Sequence, residues 1–379
     1  HLSRGFGELG HVLSDIETGV TPSGDWVAIF GNGYDSASGK ASMFVVNLST
    51  GEVIRELTTN NVTGNGLGGV RLVHNANSQV IGAYAGDLKG HVWRFDLSGN
   101  SNTDWKNGEL LFTAVNASGV AQAITAAAAV FARTDGKPGY IVVVGTGRLL
   151  TNSDTLLTPT PPTQSAYGLW DESPFGSVAT ISAISGRLAL VGSASALDTV
   201  TGYYTVTTSR PINWATDKGW YLDYTELVGQ KAVYPVTALK TLVSIETIAP
   251  KAVTGSCTVD GEVRAVNYLI NPYSGMCSSS FKTLDTNNDN AVDASDTQAC
   301  AYSSLGDGTN TYLGKDGSTP QNDADSPLGG GGGGGGDPCL VYSIGSTGKP
   351  QLINICEPPT PPGSTSSFSR DVRQVFIRK

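Results

Sequence analysis

The sequence predicts an all-β fold, and within that class a β-propeller with long loop insertions. Three observations support this prediction. The 379 residues include 48 Gly and 18 Pro but only 15% charged residues, far less charge than coiled coils and long helical bundles carry. Short runs of strand-forming residues alternate with polar turns. No long amphipathic helical pattern is present, and 39% of the residues are hydrophobic, enough for a sizeable core.

The strand-forming runs include four segments with a shared strand–turn–strand pattern. In each, a β-branched or aromatic run precedes a polar turn whose Gly supplies a positive φ. The four segments are MFVVNLSTGEVI (43–54), HVWRFDLSGN (91–100), VRAVNYLINPYSGMC (263–277) and LVYSIGSTGKPQLI (340–353). Further strands are predicted at WVAIF (26–30), QVIGAYA (79–85) and YIVVV (140–144). Hairpins at blade-sized intervals favour a propeller, and the alternative is a β-sandwich with a similar number of strands.

The domain organisation expected from this pattern is a single domain over residues 1–379. One long insertion at 278–338 interrupts the β pattern and holds an Asp/Asn cluster followed by eight consecutive glycines at 329–336. We interpret the glycines as a flexible tether, because a phosphate-binding loop needs Lys and Ser/Thr after its glycines. Three tryptophans in apparent strands are expected to fill gaps between blades: Trp93, Trp170 and Trp220.

The charge balance excludes some partners. The net charge is −9 and the pI is about 4.9, so a nucleic-acid phosphate backbone would be repelled. The longest apolar stretch, near 123–132, is about half of what spans a bilayer. The chain begins HLSRGFGE, without a basic and then apolar leader, and we expect it to be a fragment of a longer protein.

The five cysteines, Cys257, Cys277, Cys300, Cys339 and Cys356, all lie in the last third of the chain. They form no CxxC motif and have no histidine nearby, which argues against a zinc site. Two methionines and many polar residues indicate an extracytoplasmic protein, where disulfides persist. We expect Cys257–Cys277 and Cys339–Cys356 pairs, because each pair brackets an apparent hairpin. Cys300 is then left unpaired.

The segment DTNNDNAVDASD at 285–296 has the spacing of a calcium loop. Calcium takes six to eight hard oxygen ligands at about 2.3–2.6 Å, and this spacing wraps such oxygens around one point. Five donors fall at alternating positions of the loop: Asp285, Asn287, Asp289, the carbonyl of Ala291, and Asp293. Because carboxylates this close repel each other without a cation, we expect the loop to be ordered only with calcium bound.

Two positions of this loop depart from the usual calcium pattern. Asn290 stands where Gly is usual, and Asn tolerates the left-handed conformation better than other residues with a side chain. Asp296 stands where Glu is usual and is shorter. The alternative interpretation of the loop is a solvated, Asx-rich turn. Magnesium is disfavoured because it seldom takes an all-protein cage.

Taken in order, the motifs resemble one family. NGLGGVRL and GAYAGDLKGHVWRFDL, within 65–97, resemble the C-terminal domain of the PilC/PilY family of type IV pilus tip-associated proteins. The same order continues through further segments along nearly the whole chain: FGNGYDSASG (30–39), QAITAAAAV (122–130), VVVGTGRLL (142–150), QSAYGLWDE (164–172) and GWYLDY (219–224).

This resemblance implies a modified seven-bladed β-propeller and a calcium ion at the loop. The ligands it implies are the same five, and Asp296 lies beyond that pattern. It also implies a non-enzymatic adhesin and pilus biogenesis factor at the pilus tip or cell surface. In the family, calcium binding and release is linked to the balance of pilus extension and retraction, surface attachment and twitching motility. The expected partners are minor pilins, contacted through a region N-terminal to this chain, and a host or abiotic surface.

Two other functions compete with this interpretation. GDLKGHVWRFDL also resembles the tryptophan-docking repeat of quinoprotein dehydrogenases, but such enzymes hold calcium and a redox cofactor inside the propeller channel. Many of them carry adjacent cysteines, whereas the cysteines here are separated and the calcium loop lies in an insertion. A secreted glycan-binding lectin is the other alternative, and clusters of exposed tryptophans would support it.

Overall fold

The computed structural model describes residues 5–133, 135–155, 160–177, 181–249, 264–305, 310–314, 340–345 and 351–355. In this part of the chain all the regular structure is β-strand, apart from short 3₁₀ turns at Asn152–Thr155 and Arg187–Ala189. The prediction of an all-β fold is therefore confirmed.

Two four-stranded antiparallel sheets come first, each with its strands in chain order. This up-and-down arrangement is the unit of a propeller blade. The first sheet contains β1 (Glu17–Val20), β2 (Trp26–Gly31), β3 (Ser42–Asn47) and β4 (Val53–Thr58). The second contains β5 (Leu67–His74), β6 (Val80–Asp87), β7 (His91–Asp96) and β8 (Glu109–Thr113).

Two further four-stranded units follow, and one hairpin joins them into a single ten-stranded sheet. The third unit contains β9 (Ala129–Ala132), β10 (Tyr140–Gly145), β11 (Ser165–Asp171) and β14 (Gly219–Asp223). The fourth contains β15 (Thr237–Leu239), β16 (Leu242–Ala249), β17 (Arg264–Ile270) and β18 (Ala301–Leu305). The joining hairpin contains β12 (Val191–Leu197) and β13 (Tyr203–Thr208).

This hairpin connects the outer edges of the third and fourth units. β12 pairs in parallel with β14, and β13 pairs antiparallel with β18. Because backbone hydrogen bonds run without interruption from one unit to the next, the edges that a blade normally leaves open are paired here.

The last described sheet has three strands, β19 (Asn310–Gly314), β20 (Leu340–Gly345) and β21 (Gln351–Asn354). Both β18 and β19 lie within 278–338, so the expectation that this whole segment interrupts the β pattern is wrong. Residues 301–305 read as polar and short in the sequence, but they complete the fourth unit by pairing with β17. The glycine run at 329–336 lies outside the described residues.

Apolar side chains pack between consecutive sheets. The first cluster lies between the first and second sheets, and the second cluster lies between the second sheet and the third unit. The next cluster lies between the third and fourth units. A fourth cluster joins the fourth unit to β21. The expected role of the tryptophans is confirmed, because Trp93 lies in the first of these clusters and Trp170 and Trp220 lie in the third. All three side chains are buried, so none of them offers a ring face for glycan stacking.

One buried polar network stabilises the second sheet from within. The carboxylate of Asp87 is fully buried, and its Oδ2 lies 2.8 Å from Asn65 Nδ2, Trp93 Nε1 and His91 Nδ1. Its Oδ1 accepts hydrogen bonds from the backbone N–H groups of Lys89 and His91, both at 2.9 Å. Burial raises the pKa of Asp87, but the hydrogen bonds from His91, Trp93 and Asn65 outweigh it and hold the pKa below its ordinary value.

We predict a pH-dependent cost for Asp87→Asn. The folded-state pKa lies below the unfolded one, so the stabilisation is complete above the unfolded pKa and is lost as pH falls through the folded pKa. The variant should lose about 1–3 kcal/mol of unfolding free energy at pH 7, because buried donors lose their acceptor. This difference should shrink below about pH 4. Denaturant unfolding between pH 3 and pH 7 measures this loss of unfolding free energy. The exposed control Asp104→Asn should have nearly the wild-type unfolding free energy at both pH 3 and pH 7. A cost for Asp87→Asn that stays constant with pH would contradict the prediction.

Candidate metal centre

The Asp-rich loop at 285–296 lies between β17 and β18 and is enclosed by a disulfide between Cys277 and Cys300. The prediction of a Cys257–Cys277 pair is therefore wrong, and Cys300 is not unpaired. Cys257 itself and the predicted Cys339–Cys356 pair lie outside the described residues.

The cysteines meet because β13 holds both of them. The N–H of Cys277 donates to the carbonyl of Val206, and the N–H of Cys300 donates to the carbonyl of Tyr204, each at 3.0 Å. The two cysteines therefore dock two residues apart on one strand, which brings their Cα atoms to 5.3 Å. That separation is within the usual range for a disulfide.

Asp285 opens the loop and is the most enclosed of the five predicted ligands, with 5% of its surface exposed. Its Oδ1 accepts a hydrogen bond from the N–H of Asp289 at 3.3 Å, and its Oδ2 accepts one from the N–H of Asn290 at 3.0 Å. The N–H of Asp289 also donates to Oδ1 of Asn287 at 3.0 Å. One backbone amide thus gathers oxygen atoms of the first two predicted ligands.

The remaining predicted side-chain ligands are exposed and held by short-range hydrogen bonds. Asp289 Oδ1 accepts from the N–H of Ala291 at 2.8 Å, and Asp293 Oδ1 accepts from the N–H and the hydroxyl of Ser295 at 2.7 Å. The hydrogen bonds from Ser295 lower the pKa of Asp293 below its ordinary value, because they favour the ionised carboxylate.

Asp296 closes the loop. Its side chain is 4% exposed, and its Oδ1 accepts from the N–H of Thr286 at 2.6 Å and from the Thr286 hydroxyl at 3.1 Å. Its Oδ2 accepts from the N–H of Asp293 at 2.9 Å. Both oxygens therefore connect the end of the loop to earlier loop backbone.

The backbone of the loop turns through two left-handed residues, Asn288 (φ 60°) and Asn290 (φ 67°). Asn290 was expected to adopt this conformation in place of Gly, and the structure confirms it. Asn is well suited to both positions because its short polar side chain tolerates a positive φ.

The predicted donors fit a hard cation in chemistry, since all of them are oxygen atoms. Among the described residues, however, no group of three or more His, Cys, Asp or Glu side chains is gathered closely enough to hold a metal. The loop therefore has two buried carboxylates, Asp285 and the loop-closing Asp296, and exposed donors that do not converge on Asp285 in this conformation.

Comparison with known proteins identifies the family. A family model described as the PilY1 beta-propeller domain matches residues 3–194, half of the chain. The chain belongs to the PilY1 family. The resemblance in the sequence motifs is thereby confirmed, and so is the propeller fold.

Two relatives and one solved structure agree with this assignment. The type IV pilus biogenesis factor PilY1 of Pseudomonas aeruginosa PAO1 is 31% identical over 324 residues, covering 76% of this chain and 27% of that protein. A PilY1 homolog of Xylella fastidiosa is 33% identical over 239 residues, covering 57% of this chain and 15% of that protein. The crystal structure of the P. aeruginosa PilY1 C-terminal domain superposes with a TM-score of 0.72 at 24% identity, covering 94% of this chain and 74% of that one.

The chain thus spans about a quarter of the length of the P. aeruginosa relative. The likeness to the crystal structure supports the propeller fold, and seven remains the predicted number of blades. Within the described residues, the structure has no helix long and apolar enough to cross a membrane. A disulfide in a PilY1 homologue is consistent with an extracytoplasmic, pilus-associated protein.

Sequence reasoning found the loop but missed what holds it. The contacts of β13 with both cysteines are not visible in local sequence patterns. One signal was available, since Cys277 and Cys300 flank the Asp-rich segment on either side.

We predict that removing this disulfide lowers stability. A closed loop of this length is worth about 3 kcal/mol of unfolding free energy, so Cys277→Ala/Cys300→Ala should lose roughly that amount in denaturant unfolding. Non-reducing peptide mapping by mass spectrometry provides the independent control. A peptide that links Cys277 to Cys257 would contradict the assignment, as would a double variant as stable as the wild type.

Proposed function

We propose that this chain is the calcium-binding propeller domain of a type IV pilus tip-associated adhesin and pilus biogenesis factor. Membership of the PilY1 family supports the pilus role. The observation that carries the calcium proposal is the sharing of the Asp289 N–H between Asp285 Oδ1 and Asn287 Oδ1. This arrangement brings together oxygen atoms of Asp285 and Asn287 at the start of the loop. The exposed carboxylates of Asp289 and Asp293 lie further along the same loop.

The proposed ligands are Asp285, Asn287, Asp289, the Ala291 carbonyl and Asp293. Asp289 and Asp293 are exposed, and their hydrogen bonds lie within the loop. Binding would turn these side chains toward Asp285. Asp296 is less suited to be a ligand, because both its oxygens already hold the loop closed.

The role of calcium in this proposal is electrostatic and conformational. The cation neutralises carboxylates that otherwise repel one another, and so draws the exposed donors of the loop toward Asp285. Calcium can shift the conformation only by its difference in affinity for the two states. The alternative is a purely structural calcium that stabilises the fold by mass action.

At the level of the pilus, the proposal is non-enzymatic. Calcium binding and release would bias the balance of pilus extension and retraction, and through it surface attachment and twitching motility. The proposed partners are minor pilins at the pilus tip and a host or abiotic surface, and the proposed location is extracellular. These partners and this location come from the family resemblance.

We predict one calcium site in calorimetric titration of this chain. Extracellular calcium modules often bind at about 10⁻⁴–10⁻³ M, so the titration must reach millimolar calcium. Asp285→Ala and Asp293→Ala should abolish the site or weaken it at least about tenfold, since each removes a charged ligand. Asp104→Ala is the control, because Asp104 is an exposed carboxylate between β7 and β8 of the second sheet. An absence of binding at millimolar calcium would contradict the calcium proposal.

The switch is tested in cells with Asp285→Ala in the full-length protein. Loss of calcium binding should change twitching and surface attachment, whereas the exposed control Asp104→Ala should leave both unchanged. If Asp285→Ala lost calcium but left motility and adhesion intact, the switch would be wrong and the calcium would be structural.

A further inference from the structure

The residues just before the calcium loop are part of the last sheet. Leu284 forms an antiparallel bridge with Ile353, the N–H of Asn354 donates to the carbonyl of Thr283 at 2.9 Å, and the N–H of Asp285 donates to the carbonyl of Leu352 at 3.2 Å. Residues 283–285 therefore lie antiparallel to β21 and join the edge of the three-stranded sheet through one β-bridge. The first proposed calcium ligand is the last residue of this bridged segment.

Two side chains hold the backbone of Asp285 from different elements. Gln351, on β21, donates from Nε2 to the Asp285 carbonyl oxygen at 3.0 Å. Tyr203, on β13, donates from its hydroxyl to Gln351 Oε1 at 2.7 Å, and the same hydroxyl lies 3.2 Å from the Asp285 carbonyl oxygen. Tyr203, Gln351 and Asp285 thus form a polar triangle.

This triangle lies beside a buried apolar contact between the same elements. Leu284 and Ile353 are fully buried and pack with Leu242 and Leu269 of the fourth unit. The position of Asp285 is therefore set by the docking of β21 on the fourth unit, and the loop has little freedom to place its first ligand independently.

We infer that Tyr203 and Gln351 are positioning residues for the first calcium ligand, and that calcium binding is coupled through them to the docking of the β19–β21 sheet. The inference rests on the calcium-binding function proposed above. Because coupling between two equilibria is reciprocal, calcium should tighten the attachment of β21, and a weakened attachment should lower calcium affinity. The part of the structure that responds to calcium binding at the loop is then the β19–β21 sheet.

The first test is calorimetric titration of Tyr203→Phe and Gln351→Met, two substitutions that remove hydrogen bonds with little change in volume. Each should raise the calcium Kd about three- to tenfold, the usual effect of losing one intramolecular hydrogen bond. Tyr204→Phe is the matched control. Tyr204 is the next residue on the same strand, and its hydroxyl lies 3.2 Å from Ser303 Oγ. The calcium Kd of Tyr204→Phe should equal that of the wild type.

The second test measures hydrogen exchange of the β21 amides with and without calcium, in the wild type and in Tyr203→Phe. Calcium should slow exchange at Gln351–Asn354 in the wild type, and the slowing should be smaller in Tyr203→Phe. Strand β2 of the first sheet is the internal control and should be unaffected.

The outcomes separate the two proposals. Suppose that the wild type binds calcium, that both positioning variants have the wild-type Kd, and that calcium does not change hydrogen exchange of β21. The coupling is then overturned, and the calcium site stands. If the wild type binds no calcium, both proposals fail. A raised Kd in both variants together with calcium-dependent protection of β21 would establish the coupling.

Discussion

The structure depends on one constraint, which is that every inner sheet is packed on both faces by the sheets before and after it in the chain. β11 and β16 are buried along their whole lengths. Such strands have no polar face, so their few charged groups must be paired within the protein. Arg94 shows this between the second and third sheets, where its Nε lies 2.9 Å from Asp171 Oδ2 and the Tyr84 hydroxyl donates to the same oxygen at 2.6 Å.

The same constraint explains which strands the sequence could predict. Runs such as 26–30, 79–85 and 140–144 are continuous and apolar because both faces are buried, and all three are strands in the structure. β12 is a run of Ser, Ala and Gly between Val and Leu, and β18 is five residues inside a polar segment. Neither carries a continuous apolar run. β12 pairs with the adjacent β13, whereas β18 pairs with β17 and β13, which both lie far from it in the sequence.

The candidate site divides in the same way. The alternating oxygen donors lie within a few residues of one another, so their spacing is visible in the sequence. The residues that hold Asp285 are distant from it, Tyr203 by 82 positions and Gln351 by 66. Cysteine pairing is equally non-local, and five cysteines allow many connectivities. Only the placement of β13 determines that Cys277 meets Cys300.

The hairpin β12–β13 also has a consequence for the order of biosynthesis. β13 can complete its pairing only when β18 has been made, more than ninety residues later. Until β18 follows, the outer edge of β13 lacks its pairing partner. An unpaired edge strand is a template for wrong pairing. Both cysteines bind the backbone of β13 along this edge. A disulfide between Cys277 and Cys300 therefore fixes the native pairing of the edge covalently once it has formed.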